Sequence, residues 1–375
     1  MNSLRAGGLR APALGHRLLR AGRFAAGVMV SCGAIPTTLH AATARVVDSG
    51  SDSPVAGKTT LREAINASAE GDTIEFATSL FTGSSPTKIT LTGGALVVSK
   101  SLTIIGPSES PNTHGPRLQL EGSGSDRILQ IRSPTTVVIA GIALQGGKAA
   151  GGGAVLAEAG ATVTFLECDF ADNQATGANS GGAILNRGTL TLDRCLVTRN
   201  RATNGGGIAS LGKLQLVRSL VEGNTASAFG GGVYSSAADL WIESSTISGN
   251  KGGTGGGIAF VSSGKIVKTA TITAVTVLDN VSSAQAGGLY VEGSGAVANV
   301  GGSIFARNVI VNNSGAQTPH DLATQKSGKI NSADYNLVVK PGTTLSPYGP
   351  HDQIGIEPQT GALAYNGGRT RTYAI

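Results

Sequence analysis

Aromatic residues make up only 4% of this 375-residue chain and charged residues only 14%. There is one tryptophan, and there are three cysteines. So few cysteines exclude a scaffold held by disulfides. No apolar stretch after residue 45 approaches bilayer-spanning length, so no transmembrane segment is expected in the mature chain. Glycine reaches 56 residues without a Gly-X-Y period, which excludes a collagen-like chain. Abundant Val, Ile, Leu and Thr with little charge argue against disorder. His114, His320 and His351 are scattered without metal-ligand spacing, so no metal site is expected. The glycine triplets precede strand patterns rather than helices, which removes the nucleotide-loop reading, and no cofactor is expected.

The N-terminus is a different kind of sequence. Arg5, Arg10, Arg17, Arg20 and Arg23 precede an apolar run from Phe24 to Ile35, and small residues follow near Leu39–Ala44. This is the pattern of a signal peptide over residues 1–41. The formal charge of +6 includes those five arginines; 24 basic side chains then face 23 acids. A near-neutral mature chain has no field to gather phosphates, so nucleic acid is not an expected partner.

Thr60 and Glu63 have capping-box spacing, and Leu61, Ala64, Ile65 and Ser68 share one face. A short helix at about 60–70 is expected, covering the open end of a β-stack. Short alternating strands follow from Lys88 onward. From residue 150 a repeat is explicit. Its opening tetrads are Gly152–Val155, Gly181–Ile184, Gly205–Ile208, Gly230–Val233 and Gly255–Ile258, with a worn copy at Ala286–Leu289. Each copy closes on an apolar residue three before an asparagine: Phe170/Asn173, Val197/Asn200, Val221/Asn224, Ile247/Asn250 and Val277/Asn280.

A unit of about 25 residues with three short strands cannot bury its own apolar face, but stacked units can, ~4.8 Å apart. Glycines serve the corners, and asparagine amides can hydrogen-bond from copy to copy as a ladder. The expected fold is all-β: a single-stranded right-handed parallel β-helix, or β-solenoid, with a short N-terminal capping helix. The expected organisation is a signal peptide at 1–41, an N-terminal cap at 42–87, the β-helix at 88–340 and a C-terminal wrap at 341–375.

Gly181–Ile184 with Phe170–Asn173 resembles the GGA(I/L/V) and FxxN repeats of polymorphic outer-membrane and adhesin-type proteins, which are right-handed parallel β-helices of pectate-lyase-like type. Thr60–Ile65 resembles the CSLREXID-type motif of secreted bacterial β-helix proteins, with Thr59-Thr60 where that motif has Cys-Ser. Gly361–Ala374 is similar to the choice-of-anchor Q segment, LxxNGGxTxTxA, that closes such proteins. In that family the segment runs on; here Ile375 is the last residue, so the anchor is expected to be truncated. The resemblance implies a secreted or cell-surface protein whose partner is a polysaccharide or a host or cell surface.

Cys168 and Cys195 each lie five residues before a closing asparagine, in the column of Ser219, Ser245 and Val275. Stacked neighbours ~4.8 Å apart are within disulfide range, and a pair of buried thiols is the alternative. The closest catalytic candidates flank the asparagines: Asp172, Arg199, Glu222 and Asp279. Asp172 and Glu222 are expected roughly 10 Å apart, at the upper edge for an inverting carboxylate pair. Solvated turn charges are the competing reading. Glu167, Arg194 and Arg218 form an outward column suited to an ion-pair ladder. The residue after each tetrad is outward by alternation, giving Leu156, Leu185, Ala209, Tyr234, Ala259 and Tyr290. Tyr234 and Tyr290 are therefore candidates for stacking sugar rings, with a covering loop as the alternative. The expected function is a structural, adhesion or glycan-binding solenoid rather than an enzyme. A polysaccharide lyase or glycoside hydrolase on the same fold is the alternative.

Overall fold

The computed structural model describes residues 42–107, 115–178, 180–236, 239–262, 264, 266–342 and 348–374. The signal-peptide expectation at 1–41 and His114 lie outside them.

The helix forms where the capping box places it. Helix α1 (Leu61–Ala67) starts after Thr60, whose hydroxyl accepts from the Glu63 amide at 3.2 Å. Glu63 in return accepts from the Thr60 amide at 2.9 Å. Leu61, Ala64 and Ile65 join the first coils in the core, and Ser68 is buried beside them. Arg62 ties the helix down by donating to Asp52 and to the Gly94 and Ala95 carbonyls.

Four sheets of 11, 11, 9 and 8 strands run along the molecule, and a complete coil contributes one strand to each. One repeat shows the order. Val155–Ala157 lies in sheet 3, Thr162–Leu166 in sheet 1, Asp169–Ala171 in sheet 2 and Gln174–Ala175 in sheet 4. The chain then returns to sheet 3 at Ile184–Asn186. Coil-to-coil pairing is parallel and in register: Phe170 faces Val197, and Val197 faces Val221. The unit therefore has four strands, not the three expected. The extra one is only two residues long in four coils, too short to show a period in sequence.

Parallel in-register stacking puts like beside like. Leu190, Leu192, Cys195 and Val197 are all fully buried, as alternation predicts. The paired glycines answer two separate demands. The first of each tetrad holds a positive φ, from +58° to +64° at Gly152, Gly181, Gly205, Gly230 and Gly255. The second has no room for a side chain: a Cβ on Gly206 would stand 2.3 Å from the Gly231 carbonyl oxygen of the next coil.

The asparagines form a continuous ladder. Each Nδ2 donates to the Oδ1 of the next, through Asn173, Asn200, Asn224, Asn250, Asn280 and Asn308, at 2.9–3.0 Å. Each Nδ2 also reaches a carbonyl of the preceding coil, as Asn224 does at Val197, 2.8 Å away. The run ends on Asp321, whose Oδ1 accepts from Asn308 at 2.8 Å and whose Oδ2 accepts from the Lys340 amide at 2.7 Å. An aspartate suits the last rung because both of its oxygens face donors.

Candidate functional site

The residue before each ladder asparagine turns the chain through the left-handed region. Asp172, Arg199 and Asp279 sit there at φ +55°, +56° and +59°, and Gly223 and Gly249 fill the same position in intervening coils. Glu222 does not belong to this column. It lies one residue earlier, on a sheet 2 strand, in register with Thr198 and Ser248. The four candidates therefore do not form one group. Asp172 is held by Arg199 through two contacts of 2.9 and 2.7 Å. Asp279 is held by Arg307 at 2.8 and 3.1 Å. The Asp172 carboxylate keeps the Arg199 guanidinium more firmly protonated than usual, and Asp279 does the same for Arg307. Glu222 is paired with Arg371.

The ladder of Glu167, Arg194 and Arg218 is present, but a fourth residue joins it. Asp193, nearly buried, bridges Arg194 at 3.3 Å and Arg218 at 2.5 Å. It closes an outward strand end, where alternation alone does not single it out.

The tyrosine stripe is covered. Tyr290 is 2% exposed, so it offers no face to a sugar. Its hydroxyl donates to Glu292 at 2.6 Å and lies 3.2 Å from the Gln325 side chain, and burial raises its pKa. Phe229, from the turn before Gly230, stands between the two tyrosines, with ring centroids 6.1 Å from Tyr234 and 6.3 Å from Tyr290. Leu185, Ala209 and Ala259 are buried as well, and Tyr234 is half-buried. Apolar side chains on an outward face find cover when an irregular turn carries an aromatic ring back across them.

Cys168 and Cys195 are free thiols rather than a disulfide, fully buried in their column. Each Sγ points at carbonyls, Cys168 at Leu166 and Cys195 at Asp193, both 3.4 Å away. Burial pushes the Cys168 thiol up to about 12 and Cys195 well above its ordinary value, so neither is a nucleophile.

The C-terminal segment does more than wrap the end. Gln353–Ile354 pairs with the last sheet 2 strand. Beyond it, Leu363–Ala364 and Thr372–Tyr373 form an antiparallel hairpin. This hairpin lies along the outer face of sheet 2. Arg369 donates to Asp169 and to the Arg194 carbonyl, both at 2.8 Å. Arg371 pairs with Glu222, and Tyr373 bonds Ser248 at 2.6 Å and Asp279 at 2.9 Å. Arg307 reaches back to Thr360 at 2.8 Å and lies over the Tyr373 ring. The arginines and tyrosine of this hairpin segment thus meet side chains of five coils.

Where the hairpin stops, a cleft of about 460 Å³ opens on the same face. Its floor is sheet 2, with Gln119, Gln145 and Thr198. Pro86 and Pro116 line it as well, with Tyr365 and Arg371 of the hairpin segment. Gln119 is only 9% exposed, and its Nε2 has no hydrogen-bond partner among the described residues. Gln145 donates to Asp172 at 3.2 Å. Sequence reasoning missed Gln119. It is one outward residue of a strand that precedes the explicit repeat, and its surroundings come from residues far apart in the chain.

Residues 135–320 match the family model described as "Right handed beta helix region". The protein is a right-handed parallel β-helix. The match covers the coils with the clearest glycine tetrads, whereas the β-helix also includes the earlier coils and the last ones. No curated protein and no solved structure matches the chain.

Proposed function

We propose that this β-helix is an exported cell-surface or secreted protein that binds saccharide without cleaving it, in a structural or adhesive role. Export rests on the N-terminal signal-peptide pattern. The observation that carries the non-catalytic reading is the state of the carboxylates. Asp172, Glu222 and Asp279 are each paired with an arginine, two of them through bidentate contacts. A carboxylate whose oxygens are already engaged by a guanidinium is not free to reach a glycosidic oxygen or an attacking water. The site that remains is the cleft on sheet 2. It combines amide side chains with an aromatic ring and prolines, the mix that saccharide recognition uses.

The test is a glycan array probed with the exported protein, together with assays for new reducing ends and for unsaturated products. Binding without either product is expected. Turnover of any polysaccharide would favour the lyase or hydrolase reading on this fold.

A further inference from the structure

We infer that the sheet 2 cleft takes a neutral, hydroxyl-rich oligosaccharide, recognised through the Gln119 amide, rather than a uronate chain. This rests on the saccharide-binding reading above.

The first observation is the unfilled bond. Gln119 is nine-tenths buried and lines the cleft, yet its amide nitrogen has no partner among the described residues. A buried amide without a partner is costly, and natural folds rarely retain one unless something completes it. The Gln119 nitrogen has almost no accessible surface, so it is a half-turn of the amide that would present its donor to the cleft. A sugar hydroxyl accepts from such a donor.

The second observation is the chemistry of the lining. Tyr365 is 42% exposed, and Pro86 and Pro116 line the cleft with it. An exposed ring in a cleft that prolines also line suits the C–H face of a pyranose.

The third observation is charge. Arg199, Arg369 and Arg371 lie in or beside the cleft, and Asp172, Asp169 and Glu222 face them one for one. The six charges sum to zero. A uronate would have to displace a carboxylate already held at hydrogen-bond distance, whereas a neutral sugar needs no such exchange.

The experiment is isothermal titration of the exported protein with neutral hexaoses (cello-, xylo- and manno-) and with hexagalacturonate and hexamannuronate. At least one neutral hexaose is expected to bind more tightly than either uronate. Gln119→Leu is expected to weaken that binding at least tenfold while keeping the circular dichroism spectrum and an equal or higher thermal midpoint. A merely structural role would move stability and leave the affinity alone. Glu222→Gln, which leaves Arg371 without its carboxylate, is expected to raise uronate affinity relative to neutral sugar. Tighter uronate binding by the unmodified protein would overturn the ligand class but leave saccharide binding in place. Unchanged affinity in Gln119→Leu would overturn the role of Gln119. No heat with any sugar would overturn both this inference and the reading beneath it.

Discussion

The asparagine ladder and the sheet 2 cleft both remove side-chain amides from water, and the two regions treat them in opposite ways. In the ladder, the Asn224 Oδ1 accepts from the amide and the Nδ2 of Asn200, and the Asn224 Nδ2 donates twice more, to Asn250 Oδ1 and to the Val197 carbonyl of the preceding coil. In the cleft, Gln119 is almost as buried and its nitrogen has no partner among the described residues. The ladder is a closed network in which coils satisfy each other. The cleft leaves one end of an amide without a partner among the described residues. Every ladder amide is saturated, whereas the Gln119 nitrogen, like Ser235 Oγ, Ser262 Oγ and His320 Nδ1, is not.

Substitutions can break or sharpen this contrast. The largest effect is expected in the ladder. Asn224→Ala strands donors of Asn200 and the Val197 carbonyl inside the stack, and should cost about 4 kcal/mol in urea unfolding. A loss below about 1 kcal/mol would mean the ladder is not a closed network.

Next comes the last rung. Burial raises the Asp321 carboxyl from its ordinary 3.8 to about 6 despite the hydrogen bonds from Asn308 and Lys340. The folded protein then binds the proton more tightly than the unfolded chain. Its contribution is fully present below pH 3.8 and is lost as pH rises through about 6. Compared with Asp321→Asn, which does not titrate, the unmodified protein should lose roughly 2 kcal/mol between pH 4 and pH 7.5. Thermal melts of both proteins across that range check the sign.

Gln119→Leu should do the reverse of the ladder substitution and stabilise the protein by about 1 kcal/mol, since it removes an unsatisfied group. Equal destabilisation at Gln119 and Asn224 in the same melts would erase the contrast. The smallest effect belongs to Asp172→Ala, whose Arg199 partner is largely exposed. It should change stability by less than about 1 kcal/mol, and less still in high salt.

Much of the fold is legible in the sequence because stacking repeats each position's chemistry. The glycine tetrads, the inward Leu190, Leu192, Cys195 and Val197 and the asparagine column each recur at nearly fixed steps. The capping helix is legible for a local reason, since Thr60 and Glu63 lie one turn apart. Legibility ends where a contact joins unlike segments. Phe229 covers Tyr234 and Tyr290 from an irregular turn, and no period reports that cover. Glu222 sits one residue off the Asp172 column, an offset that only the strand register reveals. The hairpin segment after Thr360 was readable as a motif, but its place along sheet 2 depends on Asp169, Glu222 and Asp279, which lie about 100 to 200 residues earlier. The cleft combines all three obstacles, with a floor, a lining and an orphaned amide from separate parts of the chain.

The most direct measurement is the crystal structure of the protein soaked with whichever neutral hexaose binds most tightly. The account predicts an intact sugar in the sheet 2 cleft, with an oxygen within hydrogen-bond distance of the Gln119 amide and a pyranose face against Tyr365. A sugar bound elsewhere, such as on the exposed Trp241 of sheet 1, or a cleaved product in the cleft, would contradict it.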